Sequence, residues 1–192
     1  MKAKSDRNKS LGRLHEMIAS DLARHRPNTQ PTLKLYLRTL VSSPGLVAST
    51  IIRIQGELNN SGRTRSAWAL RNVSIALTGT DMAPGAQIGP GLLITHPQGI
   101  VIGPGVVTGA NCTLLHNVTL GERYGDGSSP HDYPSLGKDV TIGAGACILG
   151  AVQIGNNVSV GANSVVLINI PDNSVAVGLP ARIVSSSKGG SS

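Results

Sequence analysis

Counting in sixes from Ile88 gives Ile94, Ile100, Val106, Cys112 and Val118, then, after an interruption, Leu136, Ile142, Ile148, Ile154, Val160 and Val166. Eleven of these twelve positions are aliphatic, so the period is a property of the chain and not of one segment. A helix repeats near 3.6 residues and a strand every two, and neither sustains a period of six. Short strands separated by tight corners do, with one branched side chain per face pointing inward. The residue after the aliphatic one is glycine at 89, 137, 143, 155 and 161, as expected where a backbone turns or packs closely. Three such faces make a coil of 18 residues, and successive coils stack at about 4.8 Å. With no Phe, one Trp and three Tyr, the core must be built from Ile, Val, Leu and Ala. An aromatic-centred sandwich is not expected. The expected class is therefore mainly β, a parallel solenoid preceded by a short α-helical region; the period does not give its hand.

The amino-terminal third is a different object. Leu11, Leu14, Ile18 and Leu22 recur at helical spacing, Pro27 and Pro31 interrupt, and Leu33, Leu35, Leu37 and Leu40 lead to a break at Pro44-Gly45. Helices are expected over 46–58 and 65–77, with Asn59-Asn60-Ser61-Gly62 as the turn between them. The chain divides into a helical region 1–78, a solenoid 79–184 and a Ser/Gly tail 185–192 expected to be disordered. The polar stretch 122–134, ERYGDGSSPHDYP, has no inward aliphatic series and is expected to be a loop on one face.

Residues 1–71 carry 13 Lys/Arg against 4 Asp/Glu, and residues 72–192 carry 4 against 6. A basic region can address nucleic acid or polyanions, but only Tyr36 and Trp68 stand beside that charge, so nucleic-acid binding is not expected. The charged first ten residues are followed by no apolar run, and the longest apolar stretch is far short of a membrane span. A cytoplasmic protein is expected. Cys112 and Cys147 lack the spacing of a zinc site and read as buried, reduced thiols, with no metal expected.

No nucleophile elbow, phosphate loop or dinucleotide fingerprint occurs. What remains are polar residues that a regular repeat does not require: Asp81, His96, His116, and His131, Asp132 and Tyr133 in the loop. His96 lies two residues after inward Ile94 and before Pro97, whose ring stiffens the backbone. His116 lies 18 residues after Gln98, one coil above it, where a bond between stacked side chains is a structural alternative to function. Asp81 and His96 are 15 residues apart, so the irregular start at Pro84-Gly85 would have to close the gap between them.

These residues carry a resemblance to the serine O-acetyltransferase family. It runs from Gly45 through Gly103, including Arg53, Gly62-Arg63, Ala67, the joint TDMAPGAQIGPG and the segment HPQGIVIG, and resumes in NVTLG, IGAGACILG, VGANSVVL and VGLPARIV. The resemblance implies a left-handed parallel β-helix and acetyl transfer from acetyl-CoA to an acceptor hydroxyl. It makes His96 the general base and Asp81 the carboxylate that orients it. An imidazole of near-neutral pKa suits the removal of a hydroxyl proton during attack on a thioester. By analogy, acetyl-CoA would lie in the groove between neighbouring solenoids near Gly143, Ala144 and Ala162. A homotrimer is expected, because the helical region is shorter than the one that joins trimers into hexamers in the family.

The chain departs from the family pattern at three places. Arg-Asp-Pro is His25-Arg26-Pro27, the Asp-His pair is Thr95-His96, and the loop's Arg-His-Pro is Asp132-Tyr133-Pro134. In the family these residues receive the amino acid's ammonium and carboxylate groups. Thr95 and Tyr133, with His116, are the candidate acceptor-binding residues; L-serine is the acceptor the family implies by default, and on these departures a sugar-like hydroxyl, as in similar solenoid enzymes of exopolysaccharide biosynthesis, is expected to serve better. Two further classes compete: a non-catalytic solenoid scaffold, and a basic adaptor acting through residues 1–71.

Overall fold

The computed structural model describes residues 2–124 and 132–186. Four helices come first: α1 (Lys2–His25), α2 (Leu33–Ser42), α3 (Pro44–Asn60) and α4 (Thr64–Thr78). α3 starts two residues earlier than its apolar pattern suggests. The Ser43 side chain accepts from the Leu46 N–H, and Pro44 takes the first helical position, where no N–H is needed. α4 ends at Gly79, whose φ of 73° is the left-handed conformation of a helix stop. α2 and α3 meet at a bend of 116°, and no single helix among the described residues is long and apolar enough to cross a membrane.

From Asp81 the chain winds into three parallel sheets, and each circuit adds one two- or three-residue strand to each sheet. The first sheet holds Asp81–Met82, Val101–Ile102, Thr119–Gly121, Cys147–Leu149 and Val165–Val166. The second holds Gln87–Ile88, Val107–Thr108, Ser135–Leu136 and Gln153–Ile154; the third runs from Leu93–Ile94 to Ser174–Gly178. Ala181–Ser186 returns antiparallel and covers the last edge of the third sheet. That strand includes residues 185 and 186, which the sequence assigned to the tail; 187–192 lie outside the described residues, as do 125–131 of the loop.

Regular coils advance 18 residues, as Val101 beside Thr119 shows. Asp81, however, lies beside Val101, twenty residues on, and Thr119 beside Cys147, because of the polar loop. The first coil is long because its corner after Ile94 holds two extra residues, and that corner contains His96. The extension shifts the hexad frame. Ile102, Leu114 and Leu120 are the inward strand residues, while Ile100, Val106, Cys112 and Val118 form a second buried track two residues earlier, at the corners. Each rung thus sends in two side chains and not one. The second track continues through Val140, Ala146, Val152 and Val158, which fills an interior that has few aromatics.

The helices are bolted to the first coil by a buried ion pair. Asp21, fully buried, takes two bonds from Arg53, at 2.9 and 2.8 Å, and a third from the Leu92 N–H at 2.8 Å. Arg53 also donates to the carbonyls of Ile88 (2.6 Å) and Gly89 (2.7 Å). Gly45 lets the α3 start press directly on the solenoid, since a Cβ there would lie 1.8 Å from the Ile94 carbonyl oxygen, two residues before His96.

Candidate active site

One edge of the prism, where the third sheet turns into the first, gathers most of the singular residues. His96 and Thr95 stand exposed on the lengthened corner. One coil on, His116 is half-buried, and its ring meets that of His96 edge to face, with centroids 5.8 Å apart and planes at 73°. Backbone bonds continue the stack: Gly145 N–H donates to the His116 carbonyl (2.9 Å), and Asn163 N–H to that of Ala144 (2.8 Å). Ala144 and Ala162 therefore follow His116 on the same edge. His116 makes no side-chain bond to Gln98, whose carbonyl instead takes the Asn117 N–H at 2.9 Å; its own Nδ1 is buried without a partner.

Gly143 has a structural reason to lack a side chain. Its Cβ would lie 2.6 Å from the Ala162 nitrogen of the next coil, so the missing volume is filled by backbone and is not open groove.

Asp81 reaches this edge through the helix-to-solenoid joint. Gly99 N–H donates to the Gly79 carbonyl (3.0 Å) and Thr80 Oγ1 to the Pro97 carbonyl (2.9 Å), so residues 79–80 lie on the His96 corner. Pro84-Gly85 does not close the interval, since the step from Asp81 to Gln87 is a regular six residues and Asp81 pairs with Val101, five residues beyond His96. Both carboxylate oxygens of Asp81 nevertheless go to Arg71, at 2.5 Å from Nε and 2.6 Å from Nη2, and no hydrogen bond joins Asp81 to His96. The guanidinium carbon of Arg71 sits 5.1 Å from the Trp68 ring centroid, one turn back on α4. Arg71 was not singled out in the sequence, because a helical Arg ten residues before Asp81 carries no local signal.

Tyr133 lies on another edge of the same chain. Its ring covers Gly103, where a Cβ would be 2.4 Å from Cε1, and it packs on the core between the first and second sheets. Burial raises its hydroxyl pKa, with Glu122 and Asp132 adding to the effect. Within one chain Tyr133 and His96 do not share a site. His131 lies outside the described residues.

Arg26 is turned away from the His96 corner, donating to Thr39 Oγ1 (3.4 Å) and Ser42 Oγ (3.0 Å) on α2. His25 occupies the joint, its Nδ1 3.1 Å from Ser43 Oγ and its Nε2 buried without a partner. Burial lowers its pKa, opposed by the charge of Asp21, so it is held neutral. Cys112 is buried and burial raises its pKa; Cys147 is only half-buried, on the outward side of its strand. Among the described residues no group of three or more His, Cys, Asp or Glu is placed to hold a metal ion.

A repeating solenoid with one histidine-bearing edge defines a class, and comparison with known proteins agrees. Residues 133–167 match the family described as bacterial transferase hexapeptide (six repeats). The serine acetyltransferase of Buchnera aphidicola subsp. Schizaphis graminum is 39% identical over 158 residues, 82% of this chain and 60% of its own length. That of Staphylococcus aureus (strain Mu50) is 38% identical over 80% of this chain and 71% of its own length. A solved serine acetyltransferase in complex with CoA superposes with a TM-score of 0.79 at 34% identity, over 94% of this chain and 73% of that one. The chain belongs to the serine acetyltransferase family.

Proposed function

We propose that this protein transfers the acetyl group of acetyl-CoA to the hydroxyl of L-serine. The observation that carries the reading is the single prism edge on which exposed His96 is followed by His116 and by the small residues Ala144 and Ala162. That edge can take a thioester carbonyl beside the imidazole while the donor's arm runs along the alanines.

In the reaction an imidazole nitrogen of His96 takes the serine hydroxyl proton as the oxygen attacks the thioester carbonyl. The tetrahedral intermediate expels the CoA thiolate, which the imidazolium reprotonates, giving O-acetylserine and CoA. An ionised carboxylate has about four lone-pair sites and Arg71 uses two, so Asp81 can still accept from His96 and stabilise the imidazolium. Donor binding is assigned to Ala144 and Ala162, with Gly143 shaping the backbone behind them. Thr95 and His116 are assigned to the acceptor's side.

The same reading places the His96 edge of one left-handed solenoid against the Tyr133-bearing loop edge of the next in a homotrimer in the cytoplasm, with the helical region 1–78 capping the catalytic region 79–184. This pairing brings Tyr133 to a neighbour's His96, which its own fold does not. The sugar-hydroxyl reading is not favoured. Arg26, one of the departures behind it, spends its donors on Thr39 and Ser42 of α2. The scaffold reading has no use for a polar, exposed histidine corner.

The deciding experiment measures thiol release from acetyl-CoA with serine, homoserine and common sugars. Serine should give the highest kcat/KM; release with a sugar alone would overturn the assignment.

A further inference from the structure

An acetyl acceptor that is an amino acid brings a carboxylate to the site, and a carboxylate leaves water at low cost only against a cation with free donors. Arg24, Arg26 and Arg71 each bind a side chain. Arg24 donates to Thr113 Oγ1 (2.8 Å) and Arg26 to Thr39 and Ser42. Arg71 differs. Asp81 holds its Nε and Nη2 on one edge, Trp68 backs the guanidinium plane at 5.1 Å, and Nη1 makes no hydrogen bond among the described residues. The pair is about 30% exposed on both sides, so a ligand can reach it. A guanidinium has five donors in a fixed fork, and the Nη1/Nη2 edge of this one is open and oriented. Residues 79–80 fasten Asp81 to the corner that carries His96.

We propose that Arg71 is the acceptor-carboxylate receptor of this protein: its Nη1/Nη2 edge binds the α-carboxylate of serine while Asp81 and Trp68 hold the guanidinium in place. This inference rests on the serine acetyltransferase reading and deepens it. It supplies a cation that Asp132 and Tyr133 in the loop do not offer, and it requires no change in the helices, since Arg71 is already fixed on α4.

The test compares L-serine with L-serinamide, which lacks the carboxylate, in wild type and Arg71→Gln. The wild type should favour serine. In Arg71→Gln the KM for serine should rise about tenfold or more, roughly 1.4 kcal/mol, with the KM for acetyl-CoA within twofold and the preference for serine over serinamide lost. Arg71→Lys, which keeps the charge without the fork, should fall between the two, and serves if the Gln variant does not fold. An unchanged serine KM overturns the inference while leaving the reaction standing, and so does a fall in kcat alone, which would make Arg71 only a support for Asp81. A rise in the acetyl-CoA KM instead would assign Arg71 to the donor's phosphates and also overturn it. A wild type that releases no thiol with serine removes the reading beneath the inference.

Discussion

At the scale of single residues, His96 is placed by two facts that act together: a corner two residues longer than the rest, and a proline behind it. The extension lifts the side chain into solvent while the flanking Ile94 and Pro97 stay buried. His96→Ala should therefore leave the fold intact and lower turnover by about 10²- to 10⁴-fold, the usual range for a general base. Circular dichroism and thiol release measure the two halves of that statement; a variant with near-normal turnover would move the base to His116. Gly143 is the opposite case, a residue whose role is packing. Gly143→Ala drives a methyl into the backbone of the next coil, and overpacking of this kind costs about 1–3 kcal/mol. A lowered melting temperature is the expected result.

At the scale of elements, the joint between helices and solenoid rests on few side chains. Asp21 and Arg53 are both nearly inaccessible, and each satisfies backbone groups of residues 88–92. Removing one partner leaves a buried charge alone, so Asp21→Ala should destabilise by about 3–5 kcal/mol. The double variant Asp21→Leu with Arg53→Met should recover part of that loss, because it removes both charges together. Thermal melting of the single and double variants checks this; equal losses in both would show that the backbone bonds, and not the charge pair, hold the joint. Arg53 and Gly45 were visible within the resembling stretch, but Asp21 was not. It lies 32 residues away from its partner in sequence, and only the packing of α1 against α3 brings the two together.

For the whole molecule, Tyr133 and His96 lie on different edges of one prism, so the proposed role of Tyr133 requires a neighbouring chain. Sedimentation at micromolar concentration should show a species of three 19.7 kDa chains. Dilution to monomer should abolish activity. A fully active monomer would overturn both the trimer and the shared site.

The sequence by itself determined the solenoid. A six-residue aliphatic period with glycine after it has few other physical solutions, and the helices declared themselves through Pro, Asn and Gly at their ends. It also singled out His96, His116 and Asp81 as candidates, because they stand where a regular repeat needs nothing polar. The frame of the repeat was another matter. One series of twelve positions proved to be two buried tracks, because a two-residue extension shifts the register while each rung buries two side chains, so an aliphatic residue stands at the counted position on either side of the shift. Tertiary structure alone decided which charges meet: Asp81 with Arg71, Asp21 with Arg53, Arg26 with the end of α2. Such pairs depend on how helices lie across a coil, over sequence separations at which local periodicity carries no information.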